Sequence, residues 1–206
     1  MSPAILRGRC KTERVPPRSP FYGRLTVRVG AARLAAALPH VPPGARVLDL
    51  GCGLTDLPSR LPSYVGCDRS PEILLVQRAR FPSAVFFEWD FAESDAPVGL
   101  AAQGPFDVVL LLAVLEHVEK PHRLVARAVS LLGPGGRLVV TTPHPLGRLP
   151  LETGAALGLL SPHARDEHET LLGRAALEEA GRSAGVSLVL YRRFLLGLNQ
   201  LAVFSR

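Results

Sequence analysis

Seven consecutive residues, Val47-Leu48-Asp49-Leu50-Gly51-Cys52-Gly53, constrain this chain more than any others. They read as a buried β-strand that runs into a glycine turn, with one carboxylate just ahead of the first glycine. Glycine has no Cβ, so the main chain at Gly51 and Gly53 can pass close to a bound group where any other residue would collide with it.

Around this strand, apolar runs of strand length alternate with helical spacings. Strands are expected at 46–50, 63–67, 84–89, 106–112 and 136–142, then at 187–192 and 197–204 as a closing hairpin. Helices are expected at 21–38, near 56–61, 71–80, 98–103 and 121–132, and at 174–182. Gly133-Pro134-Gly135-Gly136 should end one helix and begin the next strand. Such alternation is the pattern of an α/β protein, a parallel sheet with helices on both faces. After Thr142 comes a stretch of about 30 residues rich in Pro, Gly and His. A connection that long inside a compact domain reads as a lid or binding loop, so residues 143–172 are expected to cover a substrate. The expected organisation is a loosely ordered arm, 1–20, followed by one domain, 21–206.

The 206 residues carry a formal net charge of +6, and its placement is uneven. Residues 1–33 contain eight Arg or Lys against Glu13 alone, while the remainder is close to neutral. The first 33 residues could therefore touch an anionic surface, RNA or a protein partner. No apolar run reaches the roughly 18 residues of a membrane-spanning helix, and no secretory leader is visible. Three cysteines, Cys10, Cys52 and Cys67, form no CxxC pair. An odd count without that spacing argues for a reducing cytoplasm rather than a disulfide framework.

Asp49 narrows the choice of ligand. A dinucleotide pyrophosphate would be repelled by it, whereas a ligand carrying an ammonium and a sulfonium, such as S-adenosylmethionine, would be attracted. The nicotinamide fingerprint G-x-G-x-x-G begun at Gly51 also needs glycine at position 56, where the chain has Asp56. Open α/β sheets bind ligands at the carboxyl ends of their strands. Asp68, 19 residues beyond Asp49, ends the second strand and can accept from both hydroxyls of a ribose. Asp90-Phe91 follows the third strand; the acid suits an adenine amino group and the ring suits its face. Asp107 opens the fourth strand, which runs on to Ala113 and Leu115-Glu116-His117-Val118. Cys52, Arg69 and Ala113 flank these residues and complete the expected cofactor-binding set.

Residues 46–142 resemble a class I S-adenosylmethionine-dependent methyltransferase of the small-molecule type. Asp49, Gly51 and Gly53 match the glycine motif, Asp68 the ribose acid, and Asp90 with Phe91 the adenine pair. The segments Leu115–Val118, Gly133–Gly136 and Leu177–Gly181 match later motifs. The resemblance implies a Rossmann-like doubly wound sheet of seven strands, order 3-2-1-4-5-7-6, with strand 7 antiparallel. It also implies S-adenosyl-L-methionine as cofactor and S-adenosyl-L-homocysteine as product. One departure is visible: the third motif glycine is Thr55 here.

A sulfonium methyl is already activated, so the protein's work is chiefly alignment, which can contribute roughly 7–11 kcal/mol. The expected candidates for a general base are His117, His144 and His168, with Glu116 behind them. A charged, solvated loop accounts for His163, Asp166, Glu167, His168 and Glu169, so no metal is expected. No Asn-Pro-Pro-Tyr-like tetrapeptide, Pro-Cys dipeptide or separate RNA-binding module is present. The expected acceptor is therefore a small molecule rather than nucleic acid. The apolar residues and arginines of 146–172 point to an acceptor with an apolar body and an anionic group. The competing reading is a catalytically silent cofactor-binding subunit whose basic arm engages RNA or a protein.

Overall fold

The computed structural model describes residues 20–91, 94–147 and 171–206. The expected arm up to residue 19, most of the expected lid, and with it Arg148, Arg165, His163 and His168, lie outside the described residues.

Seven strands form one sheet in the order β3-β2-β1-β4-β5-β7-β6. They are β1 (Val47–Leu50), β2 (Tyr64–Asp68), β3 (Val85–Glu88), β4 (Phe106–Leu112), β5 (Leu132–Pro143), β6 (Ser187–Phe194) and β7 (Asn199–Ser205). Strands β1 to β5 pair in parallel, and β7 runs antiparallel to both β5 and β6. All four residues of β1 and all five of β2 are buried. That explains why they are apolar apart from Asp49 and Asp68, because a central parallel strand has both faces covered.

Helices α1 (Pro20–Ala37), α2 (Pro71–Arg80), α3 (Leu100–Gln103), α4 (Pro121–Ser130) and α5 (Arg174–Ser183) flank the sheet. Ala36 and Ala37 of α1 and Leu74 of α2 share a core with Val47, Val108, Leu110, Val139 and Val203. Leu124, Val125 and Ala128 of α4 and Leu177 of α5 share a second core with Leu48, Leu50, Val109, Leu138 and Val140. Alternate residues of each strand therefore face opposite layers, the arrangement of a doubly wound sheet. The start of α2 follows from chemistry at one residue: Ser70 is its N-cap, and the hydroxyl accepts from Ile73 N at 3.3 Å.

Three expectations need correction. No α-helix forms at 56–61; Leu57–Ser59 make only a 3₁₀ turn. Pro58 and Pro62 bracket a segment too short for two helical turns, and Leu57 turns inward to full burial instead. The helix expected at 98–103 shrinks to Leu100–Gln103 behind a left-handed Gly99. Gly133–Gly136 does not stand outside the sheet: β5 begins at Leu132, and an irregularity in its pairing with β4 falls between Phe106 and Val108.

Candidate functional site

The chain passes from β1 to β2 and β3 on one side and from β4 to β5 on the other. A crevice therefore opens at the carboxyl ends of β1 and β4. The glycine turn lies at its floor. Gly51 N and Cys52 N both donate to Cys67 O, at 2.8 and 2.9 Å. Gly51 has φ +76, and a Cβ there would come within 2.7 Å of Val114 Cγ2. Gly53 has φ +53, but a Cβ there would meet nothing within 4 Å. The first glycine is thus required by packing, while the second borders open space.

Asp49 sits beneath this turn, 2% exposed, and accepts from Tyr64 Oη at 2.9 Å. Burial pushes its carboxyl up to about 7; Tyr64 opposes the shift and the negative charge of Asp68 adds to it. The sequence pointed to Asp49 as a direct attraction for a cation. The structure buries it beneath the turn. Burial likewise pushes up the neighbouring thiols, Cys67 to about 12, and Cys52 and Cys67 are free and buried.

Asp68 ends β2. Its Oδ2 accepts from Gly53 N at 2.8 Å and its Oδ1 from Ser70 N at 3.0 Å. One carboxylate thereby holds both the glycine turn and the approach to α2. A carboxylate has about four lone-pair sites, so capacity for two further donors remains. Thr55, in place of the third glycine, is absorbed locally: its Oγ1 accepts from Leu57 N at 3.2 Å and its carbonyl from Gln77 Nε2 at 2.9 Å.

Asp90 and Phe91 follow β3 and line a cavity of about 500 Å³ with Arg69, His117, Val118, Lys120 and, from α4, Arg123 and Arg127. Trp89 braces Phe91 edge-on, with centroids 6.1 Å apart. The Arg127 guanidinium donates to the carbonyls of Phe91 and Ser94 and so ties this loop to α4. His117, one of the candidate bases, lines this cavity as well, and His144 does not. Asp107 has a structural place. It opens β4 at the far end of the sheet, where its Oδ2 accepts from Arg46 N at 2.8 Å and fastens β1 to β4.

At the ends of β4, β5 and β7 lies a polar cluster that the sequence did not disclose. Glu116 is fully buried; its Oε2 accepts from Thr142 Oγ1 at 3.0 Å, and its Oε1 is 3.7 Å from Arg33 Nη2 of α1. Arg33 Nε also donates to Asn199 Oδ1 at 2.8 Å. Desolvation draws Arg33 below its ordinary pKa while Glu116 pushes it back. Arg33 belongs to the basic first 33 residues expected to touch an outside partner, yet its side chain is only 19% exposed. Next to the cluster, Gln200 Nε2 donates to Pro143 O at 3.0 Å and Tyr191 Oη donates to Gln200 Oε1 at 2.9 Å. Ala113, which links β4 to this end, holds a left-handed φ of 62 with its N–H on Thr141 O at 2.8 Å. Non-glycine residues in that region carry strain of about 1–3 kcal/mol, and it concentrates at working sites.

His144 is half-buried at the exit of β5. Its Nδ1 accepts from Leu146 N at 3.1 Å, and desolvation together with the nearby Arg193 charge lowers its pKa. Among the described residues no group of three His, Cys, Asp or Glu could hold a metal ion. Nor is any described helix long and apolar enough to cross a membrane.

A glycine turn flanked by strand-end acids, on a sheet of this order, defines a doubly wound α/β protein with its crevice at the carboxyl ends of the strands. A family signature described as a methyltransferase domain matches residues 24–191. The chain belongs to the methyltransferase family and is an S-adenosylmethionine-dependent enzyme. Among its relatives is a ubiquinone biosynthesis O-methyltransferase of Xanthomonas axonopodis pv. citri, 31% identical over 185 residues, 84% of this chain and 73% of that one. A protein of the same description from Xanthomonas campestris pv. campestris is 34% identical over 131 residues, 61% of this chain and 53% of its own length. The chain therefore spans only part of the length of these relatives. A solved structure of an S-adenosylmethionine-dependent methyltransferase from Mesorhizobium loti shares the fold, with a TM-score of 0.69 at 20% identity over 86% of this chain and 99% of that one.

Proposed function

We propose that this enzyme moves the methyl group to an oxygen atom of a small acceptor with an apolar body and an anionic group. The observation that carries the reading is the unequal chemistry of the two halves of the crevice. Acids gather at β1, β2 and β3, whereas β5 ends in a half-buried histidine beside Arg193.

The open space at Gly53 and the spare lone pairs of Asp68 fit an adenosyl ligand. Asp68 would hold the ribose, Asp90 the adenine amino group, and Phe91 the face of the base. Cys52 and Arg69 flank the turn and the ribose acid, and Ala113 closes the crevice from β4. Asp49 would place negative charge under the amino-acid end. When bound, the cofactor supplies a methyl group already activated by a sulfonium.

His144 has a definite part in this reading. Leu146 N–H occupies its Nδ1, so the neutral ring keeps its proton on Nε2. It orients an acceptor by donating a hydrogen bond; it does not remove a proton. The arrangement suits an oxygen that already bears negative charge, such as a phenolate, enolate or carboxylate, and Arg193 favours the same charge. The O-methyltransferase names of the relatives support oxygen as the acceptor atom. The buried free thiols Cys52 and Cys67 support a reducing compartment such as the cytoplasm.

The test is incubation of the purified chain and labelled S-adenosylmethionine with fractionated cell extract. Label in the extractable small-molecule fraction supports the reading. Label confined to RNA or protein refutes it.

A further inference from the structure

The turn between β6 and β7 breaks two rules at once. Leu195 and Leu196 are the central residues of a turn closed by Gly197 N on Phe194 O at 3.1 Å. Both have positive φ, 50 and 56. Hairpins with two such residues favour Asn-Gly, because other side chains crowd a neighbouring carbonyl. Burial does not compensate the leucines: Leu195 is 37% and Leu196 101% exposed. Two exposed apolar side chains in a costly backbone conformation mark this turn as a candidate contact surface.

The surroundings say what would meet it. Residues 187–206 contain three arginines and no Asp or Glu. Arg192 and Arg193 are exposed on β6 where it leads into the tip. Arg174, at the start of α5, lies 5.3 Å over the Tyr191 ring beside them. At the same end of the sheet, His144 N donates to Leu198 O at 2.9 Å, and Leu146 is 53% exposed. Exposed leucines within a collar of arginines match the boundary of an anionic bilayer, apolar below and phosphate above.

We propose that the β6–β7 tip is a lipid-docking finger: Leu195 and Leu196 enter the interface while Arg192 and Arg193 meet lipid phosphates. Docking would turn the His144 end of the crevice toward the membrane, a consequence that rests on the reading of the site given above. The docking itself does not.

Vesicle co-sedimentation of the full chain tests this. Binding is expected to vesicles of phosphatidylglycerol and phosphatidylcholine in equal parts and not to phosphatidylcholine alone, and to weaken as salt rises. Leu195→Asn with Leu196→Gly suits the turn and leaves the fold intact, yet should weaken partitioning at least about 10-fold. Arg192→Ser with Arg193→Ser should weaken it about 30-fold at low salt. Equal binding by the wild type and the Asn-Gly variant overturns the proposal. So does a wild type that ignores vesicles but changes oligomeric state, by sedimentation velocity, when the tip is replaced. Methyl transfer to an acceptor dissolved in water should be unchanged by Leu195→Asn with Leu196→Gly. A chain that binds vesicles but methylates no small molecule would therefore count against the site reading alone.

Discussion

Replacing Arg33 by methionine probes the buried polar cluster most directly. The methionine keeps most of the apolar stem and removes the guanidinium. Glu116 then remains fully buried with Thr142 as its hydrogen-bond donor. At the observed 3.7 Å, unit charges in a medium of effective dielectric about 20 attract by about 4 kcal/mol. Breaking a buried pair from one side costs about 3–5 kcal/mol, a large share of the roughly 5–15 kcal/mol that holds a domain folded. For a chain of this size that is a fall in Tm of about 10 °C. The converse change, Glu116→Gln, should cost about 1–2 kcal/mol, since Arg33 keeps Asn199 and is 19% exposed. The double variant Arg33→Met/Glu116→Gln should recover most of the loss, because no buried charge is then left without its partner. Urea and thermal unfolding at neutral pH measure all three. If Arg33→Met costs under about 1 kcal/mol, or the two changes are simply additive, the pair is not a coupled buried charge and the reasoning fails.

Three further outcomes are expected. Asp68→Ala should weaken S-adenosylhomocysteine binding by at least 100-fold in calorimetry, on the order of two charge-assisted hydrogen bonds at roughly 1.5–3 kcal/mol each; unchanged affinity would move the ribose elsewhere. Gly53→Ala, with φ +53 and no neighbour within 4 Å, should lower stability by only about 1–2 kcal/mol yet abolish that binding; tight binding by this variant would mean that the ligand avoids the turn. The carboxyl of Asp49 titrates near 7 when folded and near 4 when unfolded, so the folded state holds the extra proton. Its contribution is full below about pH 4 and declines by about 1.4 kcal/mol per unit up to about pH 7. The difference in stability between wild type and Asp49→Asn should follow that window, and a flat difference from pH 4 to 7 would show that Asp49 is not desolvated.

The sheet was legible because its strands are short apolar runs bounded by glycine and proline, and a central parallel strand has no polar face to disguise it. Its strand order came from the resemblance, carried by Asp49, Gly51, Gly53, Asp68 and Asp90. The helix at 56–61 was misread because its apolar spacing outweighed two prolines. Asp107 was legible as a residue at the start of β4, and that position puts it at the end of the sheet away from the crevice. The polar cluster was invisible for a different reason: Arg33 and Asn199 are 166 positions apart, and no local pattern marks either. The position of His117 depends on the direction in which the chain leaves β4, and spacing alone does not report it.

Strand β7 follows β6 in the chain yet lies between β5 and β6. During synthesis β1 to β5 can dock in turn as they leave the ribosome, each finding a partner already made or soon to come. β6 has β7 as its sole neighbour, so it joins the sheet only as one arm of the β6–β7 hairpin. Until Asn199–Ser205 emerge, Ser187–Phe194 must wait as an unpaired ribbon. A chaperone or a pause in translation would matter most at that moment.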